Sequence, residues 1–199
     1  MKEKIIIYGE RGVGKSTLVA RLLGQCIVPV YGFVTRAAPR DEAGFQTIHL
    51  YPAGSPTGVA DERNCVGRAN HRRDREFPEV FDTLGVFLLR ASPDGIVVMD
   101  ELGFMERDAK VFRAAVLARL DDDIPVLAVI KAKGGIPFLQ EIREHPNVQL
   151  YHLTEENREA LFYTLLPVIR RWNHRAYLPV SEYYPNRSTP AYRGRYAPR

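Results

Sequence analysis

The sequence predicts a three-layer α/β architecture, with a mostly parallel sheet between helices and a β-hairpin insertion. Short apolar runs recur along the chain: "KIIIYG" (4–9), "GIVVMDE" (95–101), "PVLAVIK" (125–131) and "NVQLYHL" (147–153). Such runs suit strands buried on both faces. Segments of helical spacing stand between them, and this alternation implies a parallel sheet covered on both sides. Two further β-rich segments, 27–36 and 45–52, are separated by "AAPRDEAG". That turn chemistry makes them an antiparallel pair.

The remaining elements follow in order. "KSTLVARLLG" (15–24) reads as a helix that ends at Gly24. Residues 53–78 are polar, studded with arginine and weakly periodic, so no element is assigned there. Helical spacing returns at 79–91, 107–120, 137–145 and 154–172, the last with Thr154 as N-cap. Residues 1–172 form one expected domain. Residues 173–199 form a C-terminal extension rich in Tyr, Pro and Arg, without helical or strand periodicity.

Bulk composition narrows the class. Hydrophobic residues make up 45% and charged residues 26% of 199, ordinary for a globular chain. No apolar run approaches the roughly 20 residues of a membrane span. "MKEKIIIYGE" is too short in its apolar stretch for a signal peptide. The expected location is the cytoplasm, with no membrane partner. Cys26 and Cys65 form no CxxC or metal-ligand cluster, which suits unpaired thiols in a reduced compartment. The net charge is +4, but residues 171–199 alone hold six Arg and one Glu, a net of +5. The rest therefore sums to −1 (4 − 5), and the main domain shows no basic bias toward nucleic acid.

The chemistry begins at "GERGVGKST" (9–17), which fits G-x-x-x-x-G-K-[ST] through Gly9, Gly14, Lys15 and Ser16. It follows a strand and opens a helix, the context the motif requires. Glycines at 9, 12 and 14 let successive N–H groups turn inward toward phosphate oxygens, and the helix N-terminus adds positive potential. The expected nucleotide contacts are Gly9, Glu10, Arg11, Gly12, Val13, Gly14, Lys15, Ser16 and Thr17. Lys15 reaches the β- and γ-phosphates, and the Ser16 hydroxyl is a ligand for Mg²⁺. The second element is Asp100-Glu101, at the end of "IVVM". A strand-end Asp in such a site holds Mg²⁺ opposite Ser16, and a neighbouring carboxylate orients or deprotonates a water. The competing reading is an acidic helix cap. Lys15, Asp100 and Glu101 are the expected catalytic residues, and Ser16 and Asp100 the expected metal ligands.

Other features point less sharply. Asp100-Glu101-Leu102-Gly103 matches D-x-x-G, but no N-K-x-D follows, and "KAKGG" (131–135) stands after the next strand. A dedicated guanine switch is disfavoured and the base preference stays open. Arg63, Arg68, Arg72, Arg73 and Arg75 could form a lid or a cis arginine finger. Their acidic neighbours, Asp61, Glu62, Asp74 and Glu76, favour a solvated charged loop. Asn157 and Arg158 stand just beyond a strand end, where they either border the nucleotide or face solvent.

Together, "GERGVGKST", "GFVT" (32–35) with "GF" at 44–45, "VMDELGFME" (98–106) and "LTEENREAL" (153–161) resemble the small P-loop nucleoside-triphosphatases of the thermophilic and cancer-related type. The resemblance spans roughly residues 3–170. It implies a P-loop NTPase fold, RecA-like or nucleotide-kinase-like, and slow Mg²⁺-dependent hydrolysis of ATP, GTP and other triphosphates. It also implies that Gly9–Thr17 bind phosphate and that Val98–Glu106 line the nucleotide site. The chain departs from the family at Phe104, where a Lys is usual, and at Arg36-Ala37 and Glu42-Ala43, where an acidic residue and an Arg are usual.

The expected function is an Mg-dependent nucleoside-triphosphatase of low base specificity. An enzymatic rival is a kinase passing the γ-phosphate to a small nucleotide or nucleoside, with the 63–75 arginines as its lid. A non-enzymatic rival is a nucleotide-dependent binding module whose basic, aromatic tail contacts nucleic acid or a protein. The nucleic-acid reading is not favoured, and no protein partner is indicated.

Overall fold

The computed structural model describes residues 3–70, 74–132 and 134–174. Arg72, Arg73 and the extension beyond 174 lie outside them. Strand β1 (Lys4–Gly9) leads into helix α1 (Lys15–Leu23), then β2 (Val30–Ala37) and β3 (Gln46–Pro52). Next come β4 (Cys65–Ala69) and β5 (Asp74–Glu76). A continuous helical stretch follows, made of α2 (Pro78–Val80), a π-helical turn (Phe81–Gly85) and α3 (Val86–Leu88). The chain closes with β6 (Ile96–Leu102), α4 (Lys110–Asp121), β7 (Val126–Lys131), α5 (Pro137–Glu144), β8 (Val148–His152) and α6 (Arg158–Asn173).

All strands join one eight-stranded sheet in the order β5-β4-β3-β2-β6-β7-β1-β8. Strands β2, β6, β7, β1 and β8 run parallel. Strands β3, β4 and β5 extend the β2 edge antiparallel. Strands β1, β6 and β7 are buried on both faces, as their apolar runs require, whereas the edge strand β8 is only partly buried, with Leu150 exposed. One core packs α1 and α6 against Ile5, Ile7, Val98 and Val129. The other packs α4, α5 and the 78–88 stretch against Ile6, Phe33, Met99 and Ala128. No described helix is long and apolar enough to cross a membrane.

The expected antiparallel pair is present as β2–β3. Two differences stand out. Residues 53–78, assigned no element from sequence, contain β4 and β5. These are short and carry Arg and Gly among few apolar residues, so their pairing partner, rather than their own pattern, makes them strands. Helix α6 begins at Arg158 with Asn157 in the cap position, not at Thr154. Thr154 instead closes the preceding turn, its Oγ accepting the Asn157 N–H at 3.4 Å.

Candidate active site

Parallel sheets present ligand sites at the carboxyl ends of their strands. Here β1 ends at Gly9 and β6 carries Asp100 and Glu101 near its end, with β7 alone between them. The loop after β1 takes the shape the glycines predicted. Gly12 and Gly14 adopt φ of 83° and 95°, a region that disfavours side chains. A Cβ at Gly9 would run into the Leu153 carbonyl oxygen. Lys15 is buried, and its ammonium donates to the carbonyls of Gly9 and Glu10, each at 2.9 Å. It also stands 3.6 Å from Glu101 Oε2.

The acidic pair faces this loop. Ser16 Oγ donates to Asp100 Oδ1 at 3.2 Å. Asp100 is buried, which pushes its carboxyl up to about 6, while the Ser16 hydrogen bond pulls the other way. The two carboxylates coincide with a bulge: from Met99 to Leu102, three steps along β6 match two along β7. Bulges beside sites re-aim side chains. Thr35 of β2 props the same backbone. Its Oγ1 accepts the Glu101 N–H at 3.2 Å and stands 3.3 Å from the Asp100 carbonyl, to which it donates.

A cleft of about 720 Å³ opens above these strand ends. Gly9, Glu10, Arg11, Gly12, Gly14, Lys15, Ser16 and Thr17 line it on one side, with Glu101. Val13 is packed into the core beneath, and Asp100 stands behind Ser16. Asn157 and Arg158 brace the site from outside the cleft. Asn157 donates to the His152 carbonyl at 2.8 Å and accepts the Thr154 N–H. Arg158 Nε donates to the Val13 carbonyl at 2.7 Å, gripping the loop from its outer side.

The rest of the lining comes from the antiparallel wing, from the loop after β6 and from the end of β7: Arg40, Gln46, Asn70, Phe104 and Lys131 among others. Sequence reasoning reached Phe104 through the family resemblance, as part of Val98–Glu106, but did not select the other four. Arg40 follows β2 in a turn, and Lys131 was visible only as part of "KAKGG". Of the arginines considered as a lid, the three described ones are engaged away from the cleft lining. Arg63 pairs with Asp61 and Arg68 with Asp41, and Arg68 and Arg75 stack on Phe45 and Phe77.

A smaller pocket of about 200 Å³ shares Ala37, Ile48, Glu101 and Lys131 with the cleft and reaches Glu106. Glu106 is buried, its Oε2 accepting the Gly103 N–H at 2.8 Å. The cleft side chains Arg11, Lys15, Arg40 and Lys131, against Glu10 and Glu101, leave two net positive charges, which suits a polyphosphate. No group of three or more His, Cys, Asp or Glu that could hold a metal occurs among the described residues. Ser16 and Asp100 offer two hard oxygens, the sparse protein set of a cation that keeps water and takes phosphate oxygens.

Comparison with known proteins then decides the kinship. The profile of a family described as NTPase matches residues 4–166. The chain belongs to this NTPase family. Its curated relatives include the nucleoside-triphosphatase THEP1 of Thermotoga maritima, 29% identical over 84% of this chain and 95% of the relative. The THEP1 of Thermofilum pendens is 34% identical over 80% of this chain and 91% of its own length. A mouse protein named cancer-related nucleoside-triphosphatase homolog is 26% identical over 85% and 98%. Among solved structures, THEP1 of Aquifex aeolicus superimposes with a TM-score of 0.68 at 27% identity, covering 84% of this chain and 99% of that one. Family membership agrees with the three-layer P-loop architecture built above.

Proposed function

We propose that this protein hydrolyses nucleoside triphosphates to the diphosphate and phosphate, using Mg²⁺ and tolerating different bases. One observation carries the reading. The phosphate-loop Lys15 and Ser16 converge with Glu101 and Asp100, at 3.6 Å and 3.2 Å, from strands that are not neighbours. The names of its relatives as nucleoside-triphosphatases support it.

In this reading the loop amides and Lys15 bind the phosphates, and Ser16 and Asp100 would hold the cation. Bound Mg²⁺ would neutralise phosphate charge as the terminal group departs. Glu101 orients a water and takes its proton as the oxygen attacks the γ-phosphorus. The bond from that phosphorus to the bridging oxygen breaks, and the nucleoside diphosphate leaves. Positioning and electrostatics supply most of the rate. Base tolerance is what the family resemblance implies, and the chain carries no N-K-x-D guanine-reading motif after β7 that would oppose it. The two free cysteines, Cys26 and Cys65, suit a reducing setting such as the cytoplasm.

The test is phosphate release from ATP, GTP, CTP and UTP, with and without Mg²⁺. Glu101→Gln should retain nucleotide binding and turn over about 10²-fold more slowly, the scale of a general base. Lys15→Ala should lose tight nucleotide binding. Wild-type rates in the Glu101 variant would reduce that residue to an ion-pair partner of Lys15 and Lys131, and negligible release from any triphosphate would overturn the reading.

A further inference from the structure

Strand β7 lies between the two halves of the site, and its last residue is a cation. Lys131 pairs in register with Gly9, the first glycine of the phosphate loop. Its ammonium stands 3.9 Å from Glu101 Oε1, while Lys15 approaches the other oxygen of the same carboxylate. Three features hold it there. The Lys131 Nζ sits 4.4 Å from the centre of the Phe104 ring, within cation–π range. Gly103 leaves room for the stem, because a Cβ there would come within 2.9 Å of Lys131 Cδ and 3.0 Å of Cε. Arg143 of α5 donates to the Lys131 carbonyl at 2.7 Å and fixes the backbone. The side chain lines both the main cleft and the smaller pocket.

We propose that Lys131 is a second phosphate-binding cation of the catalytic site, contacting the terminal phosphate from the end of β7, at the Glu101 oxygen that Lys15 does not approach. This deepens the triphosphatase reading and rests on it. Lys15 belongs to the loop and reaches the β- and γ-phosphates. Glu101 marks the place of the attacking water. A cation touching the far oxygen of Glu101 therefore faces the terminal phosphate rather than the α-phosphate or the base. Negative charge is spread over the terminal oxygens in the transition state, and a fixed ammonium in a cleft stabilises it there without reorganising. Lys131 thus does from within the sheet what an arginine finger does from a loop. None of the described arginines at 63, 68 and 75 is needed for that task.

The experiment uses the full chain as wild type, Lys131→Ala, Lys131→Gln and Lys131→Arg. It measures phosphate release and the affinities for ATP and ADP. Lys131→Ala and Lys131→Gln should lower kcat by about 10²-fold, the loss seen on removing one oxyanion donor. They should lower ATP affinity more than ADP affinity, which should stay within about twofold. Lys131→Arg should recover a substantial part of the rate. Wild-type turnover in the Gln variant, whose stem still covers Phe104, overturns the proposal. So does an equal loss of ATP and ADP affinity, which would mean general phosphate binding or a loosened cleft. The binding arm stands apart from turnover. A wild type that releases no phosphate defeats the triphosphatase reading. ATP-selective weakening in the Ala variant would still place Lys131 on the terminal phosphate, and its absence would remove it.

Discussion

Glu106 is a buried side chain whose ionisation should contribute to the pH response of the fold. It is 2% exposed, and burial pushes its carboxyl up to about 7 against the partial pull of the Gly103 N–H. In the unfolded chain the group ionises near 4.5. Between these two values the folded state holds a proton that the unfolded state has released. Stability from this group is therefore full below about pH 4.5 and lost as pH rises to about 7. The slope is at most about 1.4 kcal/mol per pH unit. Glu106→Gln keeps an oxygen for the Gly103 N–H and removes the ionisation. Thermal melts from pH 5 to 8 should show a falling Tm in the wild type and a flatter profile in the variant. Parallel profiles would mean that Glu106 does not titrate in this range. Asp100 is raised by the same cause, and its hydrogen bond to Ser16 ties it to the metal-binding reading.

At the scale of elements, the site is an intersection of strand ends held by cross-element hydrogen bonds. Thr35 of β2 fixes the backbone of the acidic pair on β6. Arg158, the first residue of α6, fixes the phosphate loop through the Val13 carbonyl. A hydrogen bond from a charged donor contributes on the order of 1.5–3 kcal/mol. Arg158 is partly exposed, so the lower end applies. Arg158→Ala should raise the KM for a triphosphate about tenfold by loosening the loop, with a smaller change in kcat. Steady-state phosphate release decides this. A collapse of kcat at unchanged KM would instead put Arg158 on the reacting phosphate. The antiparallel wing β3–β4–β5 acts at the same scale. It closes the cleft with Gln46 and Asn70 and holds no part of the acidic motif.

For the whole molecule, the described fold closes at the end of α6. Trp172 is fully buried in the core shared with α1. Asn173 donates to the Gln25 carbonyl at 2.8 Å and accepts the Ile27 N–H at 3.0 Å. A chain that ends at residue 174 should therefore keep its melting temperature and turnover. One that ends at residue 171 loses a buried Trp, a change worth about 3–5 kcal/mol, and should melt well below the wild type. Loss of turnover in the 174-residue form would give the basic extension a part in catalysis. The boundary drawn at residue 172 from sequence falls within the last turn of α6, which ends at Asn173.

Local chemistry made much of this legible in advance. The apolar runs declared the buried parallel strands, because a strand covered on both faces needs no polar alternation. "GERGVGKS" declared its own loop, since glycines, lysine and a hydroxyl at that spacing make a phosphate cradle from adjacent residues. Asp100 and Glu101 were singled out because a strand end was already implied, and the fold sets them beside Lys15 and Ser16. Apart from the pairing of Asp100 with Ser16, which the motif itself implies, the partners that came from a distance were not legible. Strands β4 and β5 exist through pairing with a neighbour rather than through their own composition. Lys131 looks like any lysine at a strand end until strand order sets β7 between the loop and the acidic pair. Arg158 could not be told from a solvated arginine until α6 brought it against Val13. Residues whose role depends on covalent neighbours can be read along the chain, whereas those whose role depends on which strand lies beside which are decided by packing.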